Sequence, residues 1–164
     1  MSNLATLKQN LVTLNQAMAL KDIGFNEALA SRVALIPGIV PSKPKGQLYE
    51  FNAIHKNGDN PKNVIAVPTV DVAIDWIRRK FNVVIFDAAE PFVDPIKKTI
   101  MYSYKVKFCN VKWGWNYREF IGQTKWSKDS YAMKRQAIWI AIRYIKKKKD
   151  AERKRKNKAR KRGI

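Results

Sequence analysis

The sequence predicts an α+β fold, with an antiparallel sheet of about three strands and two helices on one face of it. Three observations predict this fold. The residues after Pro68 place apolar side chains at helical spacing as far as Phe81. The stretch Thr99–Val111 alternates with the period of a strand, and the helix expected over Ser127–Ile145 carries an apolar block long enough to be buried. The order helix–strand–strand–strand–helix connects these elements with short loops.

Four segments follow from this assignment. We expect an N-terminal helical segment over 1–38, a linker and strand pair over 39–67, the α+β core over 68–145 and a basic tail over 146–164. The chain has 164 residues, of which 46% are apolar, so it can form a core of ordinary size.

The N-terminal segment is expected to begin with a helix capped by Ser2 or Asn3 and ended near Gly24, with a second short helix over Asn26–Leu35. The apolar positions of the first helix recur at steps of three and four, which is the spacing of a heptad-like seam. The seam either docks on the protein's own core or binds a second copy or another virion protein. Its residues are Leu4, Leu7, Leu11, Leu14 and Met18.

Two strands are predicted in the next segment, over Leu48–Ile54 and Val64–Val67. Before them, the proline-containing stretch Ile39–Gly46 is typical of a linker or an extended arm. Between them, the residues 57–60 have turn chemistry. The single histidine, His55, lies beside this turn without partner residues and is interpreted as a surface residue.

In the core segment, Thr69 is expected to cap a helix that ends at Asn82. A short strand follows over Val83–Phe86, then an acidic, proline-containing loop over Asp87–Pro95. The face of the helix that is predicted to be buried consists of Val70, Ala73, Ile74, Ile77 and Phe81.

The strand predicted over Thr99–Val111 has one face directed at the core and one solvent-exposed, positively charged face. A further strand is expected over Asn116–Gly122, and Ser127 or Asp129 is expected to cap the final helix. The core-facing residues are Ile100, Tyr102, Tyr104, Val106 and Phe108, and the outward-facing ones are Met101, Ser103, Lys105, Lys107 and Cys109.

The net charge of +20 and the isoelectric point near 10.2 indicate a polyanionic partner, with nucleic acid ahead of an anionic membrane surface. No apolar run approaches the roughly 20 residues of a membrane span, so we expect no membrane partner. Cys109 is the single cysteine, which excludes a disulfide within the chain and favours a reducing compartment.

The sequence contains no pattern that is typical of an enzyme. Its glycines do not form a phosphate-binding loop, and one cysteine and one histidine cannot make a Cys/His metal site. Asp71 and Asp75 lie one helical turn apart, but the helix dipole and solvent account for both. We therefore expect no catalytic residue, no metal and no cofactor.

After Ile145 the chain has twelve lysines and arginines and two acidic residues, Asp150 and Glu152. This segment therefore carries half of the net charge. Cations of this kind neutralise phosphates without reading sequence, and the segment has no aromatic residue that could stack on a base. We expect a helical extension that becomes ordered on nucleic acid, with DNA favoured over RNA; the alternative is a solvated tail that serves solubility. The candidate binding residues are Lys146, Lys147, Lys148, Lys149, Arg153, Lys154, Arg155, Lys156, Lys158, Arg160, Lys161 and Arg162.

A second candidate patch interleaves basic and aromatic residues around the turn at 112–118. Tryptophans beside lysines can stack on bases, but they also fill cores and protein interfaces, and the sequence leaves these alternatives open. The patch consists of Lys105, Lys107, Lys112, Trp113, Trp115, Lys125, Trp126, Lys128, Lys134 and Arg135.

The order of elements after Pro68 resembles that of the double-stranded-RNA-binding domain. The last helix of that domain begins with basic residues, and Lys125, Lys128, Lys134 and Arg135 occupy the corresponding place here. This resemblance implies an RNA- or DNA-binding regulator as an alternative function, and it transfers no individual binding residue.

Four stretches resemble small uncharacterised proteins of crAss-like phages and prophages of Bacteroides-type bacteria. These are Ala17–Asn26, Val67–Phe81, Tyr102–Tyr104 and the final helix after its serine. The resemblance implies a phage origin, a place in the virion or the host cytoplasm, and a capsid-associated or genome-contacting role. A third alternative is an accessory protein that binds a host protein through the tryptophan-rich turn.

Overall fold

The computed structural model describes residues 10–27, 29–35, 48–55, 64–88, 92–96, 98–109 and 118–161. In this part of the chain three helices are separated by runs of three and five strands, and the final helix is the longest element. In chain order the elements are α1 (Leu14–Asp22), β1 (Leu29–Leu35), β2 (Leu48–His55), β3 (Val64–Ala66), α2 (Val70–Phe81), β4 (Val83–Asp87), β5 (Phe92–Val93), β6 (Ile100–Met101), β7 (Tyr104–Cys109), β8 (Arg118–Gln123) and α3 (Ser130–Lys161).

The predicted α+β fold is confirmed. Strands β4, β7 and β8 form an antiparallel three-stranded sheet with β7 in the centre. Helices α2 and α3 pack together with the face of β7 that carries Tyr104 and Val106, both of which are buried. The approach between sheet and helix is close at Gly122, where an added Cβ would lie 3.1 Å from Cγ2 of Ile140.

A second antiparallel sheet has the strand order β2–β1–β3. The strands expected near Leu48 and Val64 are confirmed, but the helix expected over Asn26–Leu35 is wrong, because Leu29–Leu35 forms the central strand β1. Short apolar segments form either helix or strand, and here pairing with two neighbouring strands decides the outcome.

The heptad-like seam does not form one helical stripe in the described residues, although Leu11 and Leu14 pack in the protein's own core, which is one of the two expected alternatives. Leu11 lies outside any helix, in a β-bridge with Thr69, and Met18 is 38% exposed on α1. Helix α1 begins only at Leu14, because the side chain of Thr13 accepts the Gln16 backbone N–H and the Gln16 side chain accepts the Thr13 backbone N–H. Leu4 and Leu7 lie outside the described residues. The face of α1 that is buried consists of Gln16, Ala17, Ala19 and Leu20.

Helix α2 confirms its predicted boundaries. Thr69 caps its first turn, and Asn82 ends it in the left-handed conformation. The sequence pattern omitted Trp76, which is buried edge-on between the rings of Phe25 and Phe81 at centroid distances of 5.0 and 5.3 Å. These aromatic contacts connect the N-terminal residues to the core.

The strand expected over Thr99–Val111 is interrupted. Tyr102 forms an isolated β-bridge with Ser127. The hydroxyl of the buried Ser103 donates to the carbonyl oxygen of Thr124 at 2.9 Å. Regular strand pairing therefore resumes only at β7. The preceding pair Ile100–Met101 instead forms a hairpin with β5, which lies inside the stretch expected to be a loop. The core-facing side is confirmed for β7, whereas Ile100 is half exposed. Ser103 and Cys109, which are expected to face outward, are both buried.

Helix α3 begins after Asp129, whose carboxylate accepts the N–H of Ala132 at 2.8 Å. Its first half lies in the same core as α1, α2 and both main sheets. A buried polar contact fixes this arrangement, because Nε2 of Gln16 donates to the carbonyl oxygen of Arg135 at 2.5 Å. The buried residues of α3 are Ala137, Ile138, Ala141, Ile142 and Ile145.

We expect Gln16→Ala to lower the free energy of unfolding by about 1–3 kcal/mol, because it removes the donor to α3 and half of the capping box. The exposed Gln136→Ala should change it by less than about 0.5 kcal/mol. Urea denaturation of both variants measures the difference, and equal effects would contradict the role of the buried amide.

Gln16→Glu adds a pH test. Burial raises the folded pKa of the introduced carboxyl above its ordinary value of about 4.3, so its neutral form, which can donate to Arg135, is favoured. Stability is then highest below the ordinary pKa and is lost as the pH rises through the raised one. Denaturation from about pH 4 to 8 should therefore show the variant losing stability relative to the wild type.

Candidate nucleic-acid interface

The cationic half of α3 extends away from the core. Ile145 is its last buried residue, Lys146 is half-buried, and every side chain from Lys147 to Lys161 is exposed. At 1.5 Å per residue, Lys146–Lys161 spans about 24 Å. Arg162, the last candidate binding residue, lies outside the described residues.

The basic segment, which is expected to be a helical extension that becomes ordered on nucleic acid, is helical as far as Lys161 in the structure and continues the core helix without a break at residue 145. Lysine, arginine, alanine and glutamate all have high helix propensity, whereas repulsion between like charges opposes the helix. The buried half of α3 supplies the costly helical nucleus, so the cationic half only has to extend an existing helix.

Two lysines at the start of this half contact the C-terminal end of α1. Nζ of Lys146 lies 3.1 Å from a carboxylate oxygen of Asp22, and Nζ of Lys149 donates to the carbonyl oxygen of Ile23 at 2.8 Å. A cation at this position is favourable because the last carbonyl groups of a helix have no intrahelical partner and carry partial negative charge.

Lys148 contacts the sheet side of the core. Its Nζ lies 3.6 Å from the ring centroid of Phe108 and 4.7 Å from that of Tyr144, both within cation–π range. The Tyr144 hydroxyl donates to a carboxylate oxygen of Glu119 at 3.0 Å, and burial together with this hydrogen bond raises the pKa of Tyr144. We call Lys146, Lys148 and Lys149 the basal collar, because they hold the start of the cationic half against the body.

The cations beyond the basal collar point into solvent. Within the described part of the chain, no hydrogen bond or ion pair joins α3 to another element beyond Lys149. We call this set the distal cations: Arg153, Lys154, Arg155, Lys156, Lys158, Arg160 and Lys161.

The described members of the secondary patch do not lie on one surface. Lys105 and Lys107 lie on the side of the three-stranded sheet that faces away from the helices, as predicted. Lys134 and Arg135 lie in the helical layer instead, next to α2 and α1 respectively. Lys125, Trp126 and Lys128 are exposed on the connection before α3, whereas Lys112, Trp113 and Trp115 lie outside the described residues.

Lys134 already has an anionic partner. Its Nζ lies 3.0 Å from a carboxylate oxygen of Asp71 and also faces the ring of Tyr131. Partial burial favours the neutral amine, but the hydrogen bond and the charge of Asp71 outweigh it and raise the pKa of Lys134. A phosphate at this position would have to compete with Asp71.

The outer sheet face carries two aromatic residues that the sequence analysis did not select. Phe120 is 57% exposed and pairs across the strands with Lys107, while Phe86 pairs with Lys105. Nζ of Lys107 also lies 5.3 Å from the ring centroid of Phe86. Phe120 precedes Ile121, which packs against the core, so alternation over these two residues indicates an outward-facing Phe120. Further along β8 a register shift breaks the alternation, and Gly122 faces α3 as well.

The acidic residues of α2 have structural partners. Asp75 accepts hydrogen bonds from Arg78 and Arg79, which lower the pKa of its carboxyl group. No group of three or more acidic, histidine or cysteine residues in the described part of the chain is arranged to hold a metal ion. Among the helices described, none is both long and apolar enough to cross a membrane.

Comparison with known proteins identified no relative of this chain. No family model, curated protein or solved structure matches the chain. The charge and the geometry of α3 are therefore the features of the molecule that bear on its function.

The basal collar can be tested with a neighbouring pair of substitutions. Lys148→Gln removes the cation over Phe108 and Tyr144 and should lower the free energy of unfolding by about 0.5–1 kcal/mol. Lys147→Gln removes the same charge from an exposed position and should have less effect. Chemical denaturation and amide exchange over 148–152 measure both, and equal protection in the two variants would contradict the collar.

Proposed function

We propose that this is a non-enzymatic protein that binds nucleic acid independently of sequence through the distal cations of α3. The observation that carries the proposal is the arrangement of these cations. They are exposed along about 13 Å of helix, at the free end of a cationic half that the core holds at its other end, and no acidic surface of the described body is paired with them.

The chemistry of the distal cations suits a phosphate backbone. Lysine and arginine neutralise phosphates and release condensed counterions, which gives affinity that falls steeply with salt. The segment offers no aromatic side chain for stacking on bases, so phosphate contacts supply most of the binding free energy. DNA is the preferred partner in this proposal.

The proposed biological setting is a phage particle or the cytoplasm of its host. The sequence resemblance to crAss-like phage proteins supports it, together with a body that presents a cationic helix on one side. In this setting the body would attach to other virion proteins while α3 contacts the genome.

The alternative of a regulator resembling the double-stranded-RNA-binding domain is supported by the order of elements in the core. The ion pair between Lys134 and Asp71 weakens this alternative, because such a regulator would need Lys134 to bind phosphate. The host-protein alternative depends on the turn at 110–117, which lies outside the described residues.

Two variants that each lose four positive charges test the proposal. The first replaces Arg153, Lys154, Lys156 and Arg160 with glutamine, which preserves helix propensity. Binding to mixed-sequence duplex DNA is measured by fluorescence anisotropy between about 50 and 200 mM salt. We expect much weaker binding, and a slope of log affinity against log salt that is shallower by about 3.6 if each cation contacts one phosphate.

The matched control replaces Lys105, Lys107, Lys125 and Lys128 of the body with glutamine. It removes the same net charge, so general attraction to DNA falls equally, but the slope should change by less than about one. A larger loss in this control than in the α3 variant would assign binding to the body and contradict the proposal.

A further inference from the structure

Helices α2 and α3 cover one side of the three-stranded sheet. Val83 and Ile85 of β4 belong to that side because they pack with the core, and Val106 of β7 is buried there. Successive side chains of a strand alternate between the two faces, so the residues next to these three, and their cross-strand partners in β8, point the other way. We call this set the outer sheet face: Val84, Phe86, Lys105, Lys107, Phe120 and Gln123.

The outer sheet face presents aromatic rings around two positive charges. Lys105 and Lys107 lie on the central strand, between Phe86 of β4 and Phe120 of β8. Lys107 is the direct cross-strand neighbour of Phe120 and Lys105 is a diagonal one, so their Cβ atoms lie about 5 and about 7–8 Å from that of Phe120. A group that lay on the ring of Phe120 would therefore be close to both charges.

The two carboxylates of these strands belong to the opposite side of the sheet. Asp87 pairs with Tyr104, whose side chain is buried on the helix side. The Glu119 carboxylate accepts a hydrogen bond from Tyr144 of α3. In the described part of the sheet, no acidic side chain on the outer sheet face offsets the charge of the lysines.

The ring of Phe120 is open to a partner. It is 57% exposed, although the residue lies within a six-residue strand. Among the described residues neither a cation nor a second ring is stacked on it, whereas Nζ of Lys107 lies 5.3 Å from the ring centroid of Phe86. Phe120 is therefore the residue of this face that is best placed to stack.

These features select the kind of partner. A second copy of the chain, docked face to face, would bring four lysines together without an acidic residue from either described face, which is unfavourable. The face instead matches negative charge beside flat apolar groups. A single nucleic-acid strand has both, because its bases can stack on aromatic side chains while its phosphates bind lysines.

We propose that the outer sheet face binds single-stranded nucleic acid, with Phe120 stacked on a base and with Lys105 and Lys107 bound to neighbouring phosphates. The site lies on the side of the sheet opposite to α3 and goes beyond the proposed function. The distal cations bind phosphates by charge, whereas this face requires unpaired bases. It should therefore add little to duplex binding, in agreement with the small effect expected for the control variant that lacks both lysines.

Two substitutions at Phe120 separate stacking from other contacts. Phe120→Tyr keeps the ring, whereas Phe120→Ile keeps an apolar side chain that favours a strand but cannot stack. Both are introduced into the full-length chain that carries the four glutamines in α3, and binding to a strand of about ten thymidines is measured at about 200 mM salt, where phosphate contacts are weakened. We expect Phe120→Ile to weaken binding about tenfold and Phe120→Tyr to change it by less than about twofold.

A strand of the same length without bases is the second probe. It keeps every phosphate, so the parent of both variants should bind it about tenfold more weakly than the thymidine strand. Equal affinity of the parent for the two strands would overturn the proposal, whether or not a variant folds. Equal losses in Phe120→Ile and Phe120→Tyr would also overturn it, and so would no loss in either, the result expected if Phe120 instead docks on a protein.

The phosphate contacts are tested with a pair of double substitutions. Replacing Lys105 and Lys107 with glutamine should make the slope of log affinity against log salt shallower by about 1.4 for the thymidine strand, from two contacts at about 0.7 each. Replacing the exposed Lys125 and Lys128 removes the same net charge and should change the slope by less than about 0.5. Equal changes in the two would contradict the placement of the phosphates on this face.

These failures differ from a failure of the proposed function. If the inference about the outer sheet face is wrong, duplex binding still depends on the four cations of α3, while Phe120→Ile leaves binding to the thymidine strand unchanged. If the proposed function is wrong, the unmodified protein does not bind duplex DNA at about 50 mM salt, whatever the result at Phe120.

Discussion

Burial of the first half of α3 is the interaction on which the rest of the structure depends. The side chains of Ile138, Ile142 and Ile145 pack into one core with residues from both main sheets and from the other two helices of the described chain. The same helix continues into the cationic segment, so the packing that stabilises the core also sets the direction in which the charge leaves it. Stability of the body and presentation of the charge are therefore coupled.

This coupling accounts for the roles of the basal collar. Mutual repulsion among the cations favours fraying of α3 from its C-terminal end, whereas the contacts of Lys146, Lys148 and Lys149 hold its middle turns. Each of these surface contacts contributes little to the free energy of unfolding by itself. Together they join α1 and the sheet to the point where α3 leaves the core, so that bending would have to occur further along the helix.

The parts of the fold that could be predicted have local causes. Thr69 and Asn82 mark the two ends of α2, and both ends could be predicted because capping and the left-handed turn depend on a few adjacent residues. Leu29–Leu35 was misassigned because its strand depends on two partners that lie elsewhere in the chain. For the candidate site, composition identified the cations, but it could not separate the collar from the distal cations, because Asp22 and Ile23 are more than 120 residues away from the lysines they contact.

The absence of a break in α3 at Ile145 has a consequence for evolution of the chain. An insertion or deletion of a single residue between the buried and the cationic halves would rotate the body by about 100° around the helix axis and displace it by about 1.5 Å. A loop would absorb such a change, but a continuous helix transmits it in full. The length of this segment should therefore be under stronger constraint than its sequence, because lysine and arginine can exchange at many positions while the rotational phase between body and bound polymer cannot drift.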